Sequence, residues 1–365
     1  MSILIFIVIL LILVIIHEMG HFSTAKMFGI RVDEFGFGFP PKLFGVKKGE
    51  TEYTFNLLPI GGFVKIFGEN PDVENTTGPD SARSFVNKPK WQQAIVLVAG
   101  VFANFVLAWV LFSFGFMSGL PTSVGAEVSG YTLENINTVV TGVAPDSPAF
   151  KAGLKTGDKI VSLRDADYVV KEINPKTIKD FIVKTGTKEI EIGYIRGNTP
   201  IQSVKLTPVV ETKGNPVKIG INMDEIGIEK LPFFKALNEG MRLSIYTFKN
   251  TAYGLYSLIK DALRGHGDLS AVTGPVGLVG VVGDAYQFGF VYLLSFTALI
   301  SINLAVVNLL PFPALDGGRL FFLLIEKIKG SRINPKFFNI ANMVGFGILI
   351  LFMIIVTYHD VVKLF

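Results

Sequence analysis

Four apolar runs decide most of what this chain can become. Residues 3–16, 94–117, 289–312 and about 340–358 contain no Asp, Glu, Lys or Arg. A helix needs about 20 apolar residues to cross a hydrocarbon core roughly 30 Å thick. The last three runs meet or approach that length. The first does so when extended through Phe22, which brings His17, Glu18 and His21 into the span. Only Met1 and Ser2 precede it, neither is basic, and the run ends in HEMGH, so a membrane span is expected rather than a cleaved signal. The expected fold is a polytopic α-helical membrane protein with four transmembrane helices.

The short-loop cations orient such a chain. Residues between the first two runs include Lys26, Arg31, Lys42, Lys47, Lys48, Lys65, Arg83, Lys88 and Lys90; those between the last two include Arg319, Lys327, Lys329, Arg332 and Lys336. Both loops are expected in the cytoplasm, with residues 121–288 facing outward. The expected location is the cytoplasmic membrane, multi-pass. A formal net charge of +4 without a dense basic cluster gives no reason to expect a nucleic-acid partner, and the absence of cysteine rules out disulfides.

The organisation expected from this pattern has four parts. Residues 1–123 hold two spans and a membrane-associated β-loop, read from TEYTFNLLPIGGFVKIFGE; its free edge could accept an extended peptide, or it could be a simple cytoplasmic hairpin. Residues 124–212 carry strand-like segments (NTVVTGV, KIVSL, KEIEIGYI, QSVKLTPV) around SPAFKAGLKTGDKI, which resembles the PDZ signature. An inserted extracytoplasmic PDZ-like α/β domain is therefore expected, either binding peptide or acting as a steric plug. Residues 213–288 include an amphipathic helix over 233–263, expected on the outer membrane surface in contact with lipid. Residues 289–365 hold the last two spans.

HEMGH carries the chemistry. Residues four apart share a helix face, so His17 and His21 can present two imidazoles to one metal, with Glu18 beside them to activate water. With 4 His and 30 acidic residues in the chain, the pattern is expected roughly 0.004 times by chance. Ionisable residues inside a span are costly and read as functional by default. A catalytic zinc usually has three protein ligands. His266 and His359 lie on the expected outer side, whereas Asp316 follows the third span in NLLPFPALDGG, on backbone broken by Pro311 and Pro313. The competing reading of Asp316 is an ordinary Asp-Gly turn at a helix end.

HEMGH at the end of the first span and LDGG after the third resemble the site-2 protease family of intramembrane metalloproteases, in its bacterial stress-signalling branch. GVFAN (Gly100 to Asn104), PIGGFVKIFGE, the single PDZ-like segment and TGPVG at 273–277 are similar to it as well. The resemblance implies one zinc ion per chain on His17, His21 and Asp316, with Glu18 as general base. It implies that Asn308 holds substrate backbone, that the strand Gly61, Gly62, Phe63, Val64 and Lys65 pairs with unfolded substrate, and that Gly100 and Asn104 support the site. The implied partners are single-span membrane proteins cut in regulated intramembrane proteolysis, with the metal toward the cytoplasm. Two other classes fit a His/Asp cluster in a membrane: a metal transporter, against which stands the lack of an internal repeat, and an inactive scaffold, against which stands Glu18.

Overall fold

The computed structural model describes residues 1–70, 73–126, 128, 130–166, 168–197, 199–210, 217–265 and 272–362. In chain order they form α1 (Ser2–Met27), β1 (Val32–Lys48), β2 (Thr51–Ile66), α2 (Val73–Thr77), α3 (Lys90–Ser118), β3 (Leu120–Ser123), β4 (Glu134–Val143), α4 (Pro148–Lys151), β5 (Lys159–Arg164), α5 (Pro175–Thr185), β6 (Ile190–Ile195), β7 (Gln202–Leu206), β8 (Ile221–Glu229), α6 (Phe233–Leu263), α7 (Pro275–Gln287), α8 (Phe290–Asn308), α9 (Asp316–Lys329) and α10 (Pro335–Val362). Four of these helices, α1, α3, α8 and α10, are long and apolar enough to cross a membrane. They coincide with the four apolar runs. The chain divides into two compact units, one of Met1–Phe112, Gly240–Gly283 and Phe296–Phe365, the other of Ser113–Glu239 and Asp284–Ser295.

In the first unit α1 is apolar on every side up to Ile16, so packing and not amphipathicity selects its inner face there. The buried residues are Ile9, Leu13, His17, His21 and Ala25, one stripe at four-residue spacing. Gly20 and Gly100 bring α1 and α3 close. A Cβ on Gly20 would lie 2.3 Å from the Ala99 carbonyl oxygen, so the two backbones approach as small residues permit in membrane helix pairs. The apolar stripe of α6, through Leu243, Phe248, Ala252 and Leu255, packs on Ala108, Phe112, Ala298, Ile302 and Val306 of α3 and α8. Near the end of α10 the Asp360 carboxylate accepts the N–H groups of Gly274 and Gly277 at 3.2 and 2.8 Å, capping the start of α7.

The loop between α1 and α3 is a small sheet. β1 and β2 both double back, so residues 34–37 face 52–55 on one side and 62–65 on the other, while 42–48 pair with 51–56. The order across the sheet is 42–48, 51–56, 32–37, 62–66. Residues 62–66 therefore form an edge. Their inner side chains, Val64 and Ile66, join Ala25, Ile30, Val32, Phe35, Val96 and Leu97 in one apolar core with Leu323 of α9. At the opposite end Leu43, Phe44, Val46, Phe55, Leu57 and Leu58 are exposed, an apolar row that water would not favour.

The second unit holds a six-stranded sheet, order β3-β8-β4-β5-β6-β7, with α5 packed on its core through Ile178, Phe181 and Ile182. The four strand-like segments read from sequence are β4, β5, β6 and β7. Within SPAFKAGLKTGDKI, Ser147 caps α4 by accepting the Phe150 N–H at 3.2 Å, Gly153 has φ +83°, and the Gly157-Asp158 turn leads into β5. The sheet also takes in β3 and β8 from outside 124–212. In β8 (INMDEIGIE) acidic residues break the apolar alternation, which hides the strand from a periodicity reading.

Candidate metal centre

His17 and His21 follow one another on the buried stripe of α1. Their Nε2 atoms lie 3.1 Å apart, with ring centroids at 4.7 Å and planes at 82°. Asp316, the first residue of α9, brings its Oδ2 to 3.0 Å from His17 Nε2 and 3.3 Å from His21 Nε2. The turn that delivers it is crowded: a Cβ on Gly317 would sit 2.3 Å from the carbonyl oxygens of Leu309 and Leu310, and one on Gly318 would sit 2.0 Å from that of Phe312. Only glycine allows the NLLPFPALDGG chain to fold back this tightly, which is why the paired glycines accompany the aspartate.

The three atoms fit a metal. Zinc with ligand distances near 2.0–2.1 Å in tetrahedral geometry holds its donors about 3.3–3.4 Å apart, close to the triangle found here. Proton placement points the same way. His21 Nδ1 is 2.8 Å from the Val96 carbonyl oxygen, which can only accept, so Nδ1 carries the proton and Nε2 of the neutral ring has a lone pair. Two acceptors, His21 Nε2 and Asp316 Oδ2, then face each other, and a cation between them reconciles the contact. Among the described residues this is the one group of three or more His, Cys, Asp or Glu side chains whose donor atoms converge in this way.

Gly100 and Asn104 of α3 support the pair. A Cβ on Gly100 would meet His21 Nε2 at 2.3 Å and His17 Cε1 at 2.8 Å, so the glycine opens the space the imidazoles occupy. Asn104 is fully buried, with its amide 3.4 Å from His17 Nδ1 and its Oδ1 without a hydrogen-bond partner. Amide oxygen and nitrogen are assigned from the hydrogen-bond network. Turned over, the amide gives Oδ1 to the Nδ1–H of His17 and leaves that ring's Nε2 free to ligate. Ser301 Oγ of α8 donates to the Asn104 carbonyl at 2.8 Å and holds this part of α3 in place.

Glu18 sits beside the loop sheet, with the Val64 backbone near enough to act on its carboxylate. Val64 pairs with Phe35 on its inner side, so the segment beside Glu18 is the edge of the sheet, residues 62–66. Of the remaining residues read from sequence, Gly61, Gly62, Phe63 and Lys65 lie on this same edge segment, with Gly61 at φ +94°. Asn308 ends α8, half-buried, and its side chain is not part of the converged cluster. His359 lies in α10 outside the cluster, and His266 lies outside the described residues. The approach of Val64 to Glu18 and the ion pair between Arg319 and Glu69 were not foreseen. A signal for the second was present, because an arginine three residues after a membrane-depth aspartate is itself a costly charge.

The model of peptidase family M50 matches residues 5–352. The chain belongs to peptidase family M50, the site-2 protease family. A Clostridium perfringens chain provisionally named a zinc metalloprotease is 35% identical over 96% of this chain and 95% of its own length. A Fusobacterium nucleatum chain with the same provisional name is 34% identical over the full length of both. The regulator of sigma-W protease RasP of Bacillus subtilis is 30% identical over 99% of this chain and 98% of its own. This M50 chain is thus a membrane-embedded zinc metalloprotease.

Proposed function

We propose that the chain hydrolyses peptide bonds within or beside the transmembrane segment of single-span membrane proteins, with His17, His21 and Asp316 holding one zinc ion and Glu18 as general base. The observation that carries the reading is the donor triangle of 3.0–3.3 Å placed beside a glutamate that lies next to an edge strand. Zinc, when bound there, supplies a Lewis acid that polarises a carbonyl and lets water ionise near neutral pH. Glu18 takes a proton from the attacking water and delivers it to the leaving amine nitrogen as the C–N bond breaks.

A substrate helix hides its peptide bonds in internal hydrogen bonds. Residues 61–65 offer an alternative set: strand addition along the edge unwinds the substrate and keeps its backbone satisfied at membrane depth. Asn308, half-buried at the end of α8, supplies an amide for the substrate backbone. The exposed apolar end of the sheet supports its immersion in lipid. The unit built on β3–β8 acts as a PDZ-like domain on the extracytoplasmic side that screens what reaches the site, while the metal lies toward the cytoplasm. The Lys- and Arg-rich short loops support that sidedness. The role that follows is regulated intramembrane proteolysis.

The test is cleavage of a tagged single-span substrate in membranes by the intact protein and by Glu18→Gln at equal expression. The intact protein releases a fragment cut within the span, and Glu18→Gln loses on the order of 10²–10⁴ in rate while retaining zinc. Equal cleavage by both removes Glu18 from the role of base. Gly62→Pro, which removes a backbone N–H from the edge segment, lowers cleavage with zinc still bound; unchanged cleavage removes strand addition.

A further inference from the structure

Arg319 and Glu69 form an ion pair that joins two rigid arms of the site. The first arm starts at the edge strand. Beyond Ile66 the chain makes a tight turn in which the Glu69 N–H donates to the Ile66 carbonyl at 3.1 Å. The Phe67 N–H donates to Arg31, and the Phe67 carbonyl accepts from Phe85, at 2.9 Å each. Gly68, at φ +77°, is pressed on Ser84: a Cβ there would lie 1.8 Å from the Ser84 hydroxyl. Glu69 is thus held at a fixed offset from residues 62–66. The second arm is the first turn of α9. Arg319 lies three residues after Asp316, on the same side of the helix, and the Gly317 and Gly318 contacts fix that turn against the preceding chain. Both side chains are largely enclosed, 23% and 22% exposed, where a guanidinium–carboxylate pair is much less screened than at a surface. Glu18 lies near both arms, beside Val64 of the strand and within electrostatic reach of Arg319.

From this linkage we infer that the Arg319–Glu69 pair sets the register between the substrate-holding strand and the metal, and so determines which peptide bond of the substrate is cut. The inference rests on the strand-addition reading of residues 61–65. Arg319 is a positioning residue in this scheme. A substrate paired along the edge presents successive carbonyls about 3.3 Å apart, so a slip of one residue brings a different bond to the base. With the pair intact the edge can take only one offset from the donor triangle. Without it the end of the strand is released from α9, and neighbouring bonds become competent at the cost of rate.

The experiment uses the full chain with zinc in bilayers and the same tagged single-span substrate, with product termini read by mass spectrometry and metal content by elemental analysis. Glu69→Gln and Arg319→Met are expected to retain one zinc per chain and to lose roughly 10- to 100-fold in kcat, as a small misplacement of reacting groups does. KM changes little, and cleavage spreads over bonds adjacent to the wild-type site. Arg319→Lys, which restores the charge, returns part of the single-site cleavage. Glu69→Asp, a one-methylene retraction that keeps the charge, gives the same readout if Glu69→Gln fails to fold, with a shifted or mixed terminus. One product with the wild-type terminus from the zinc-loaded variants overturns the inference, whatever their rate. If the wild-type protein makes no cut in the span, the proposed function itself fails; if it cuts and Gly62→Pro is unaffected, strand addition fails and the register role falls with it.

Discussion

Gly100 owes its identity to the two imidazoles opposite it. A methyl there would lie 2.3 Å from His21 Nε2, far inside contact distance, and the ring cannot retreat while Nδ1 holds the Val96 carbonyl. Gly100→Ala is therefore expected to lose zinc while α3 still forms, since alanine favours a helix more than glycine does. Metal content per purified chain, with circular dichroism for helix, checks this; full zinc occupancy would show that the rings can move. Asn104→Ala removes the orienting partner of His17 and should weaken zinc binding about 10- to 100-fold, measured by competition with a chelator. At this scale much was legible from sequence. His17 and His21 four apart, with a carboxylate between, announce a metal on one helix face, and Asp316 stood out as a carboxylate on broken backbone at a span's end. The Val64 link was not legible, because it depends on a strand edge approaching a helix more than forty residues earlier in the chain.

Single elements show where sequence patterns carry and where they stop. The spans and the long helix over Phe233–Leu263 followed from apolar runs and helical periodicity, signals local to each segment. The β-loop between α1 and α3 was expected from its strand-like pattern, but its strand order did not follow. Its order mixes four segments from two continuous strands, and the bends that separate them decide which segment becomes the edge. That geometry also ties the sheet to α1. Glu50, in the turn between β1 and β2, takes the Lys26 ammonium at 2.5 Å and the Arg83 guanidinium at 2.6 Å. Lys26 first, and Arg83 with it, hold the Glu50 carboxyl below the usual carboxylate range. A carboxyl lowered in the folded state contributes stability that is complete above its unfolded pKa and fades as the pH falls through the folded value. Acidification from pH 7 to below the ordinary carboxylate range should loosen this turn, and Glu50→Gln should flatten that part of the response. Hydrogen exchange of residues 48–52 across the same pH series measures it, and identical profiles for both proteins would remove Glu50 as the cause.

The whole molecule distributes its charge economy between the two units. In the second unit Asp158 is fully enclosed; its Oδ2 accepts the Lys155 N–H at 2.9 Å, and its two oxygens take the Arg196 guanidinium at 2.7 Å each. Removing one partner of a buried pair leaves the other uncompensated, at a cost of about 3–5 kcal/mol. Arg196→Met should therefore unfold the β3–β8 sheet at lower temperature while leaving zinc content unchanged, as limited proteolysis with metal analysis would show; loss of zinc together with the sheet would mean the metal centre depends on it. The first unit gathers its donors from the far reaches of the chain, His17 and His21 from the first helix and Asp316 from the ninth. Synthesis gives that separation a meaning in time. A ribosome that has inserted α1 has already placed His17, Glu18 and His21 among other proteins in the membrane, yet Asp316 is hundreds of residues from being made. With the proposed ligand set, the nascent enzyme cannot cut a neighbour before α9 has been made.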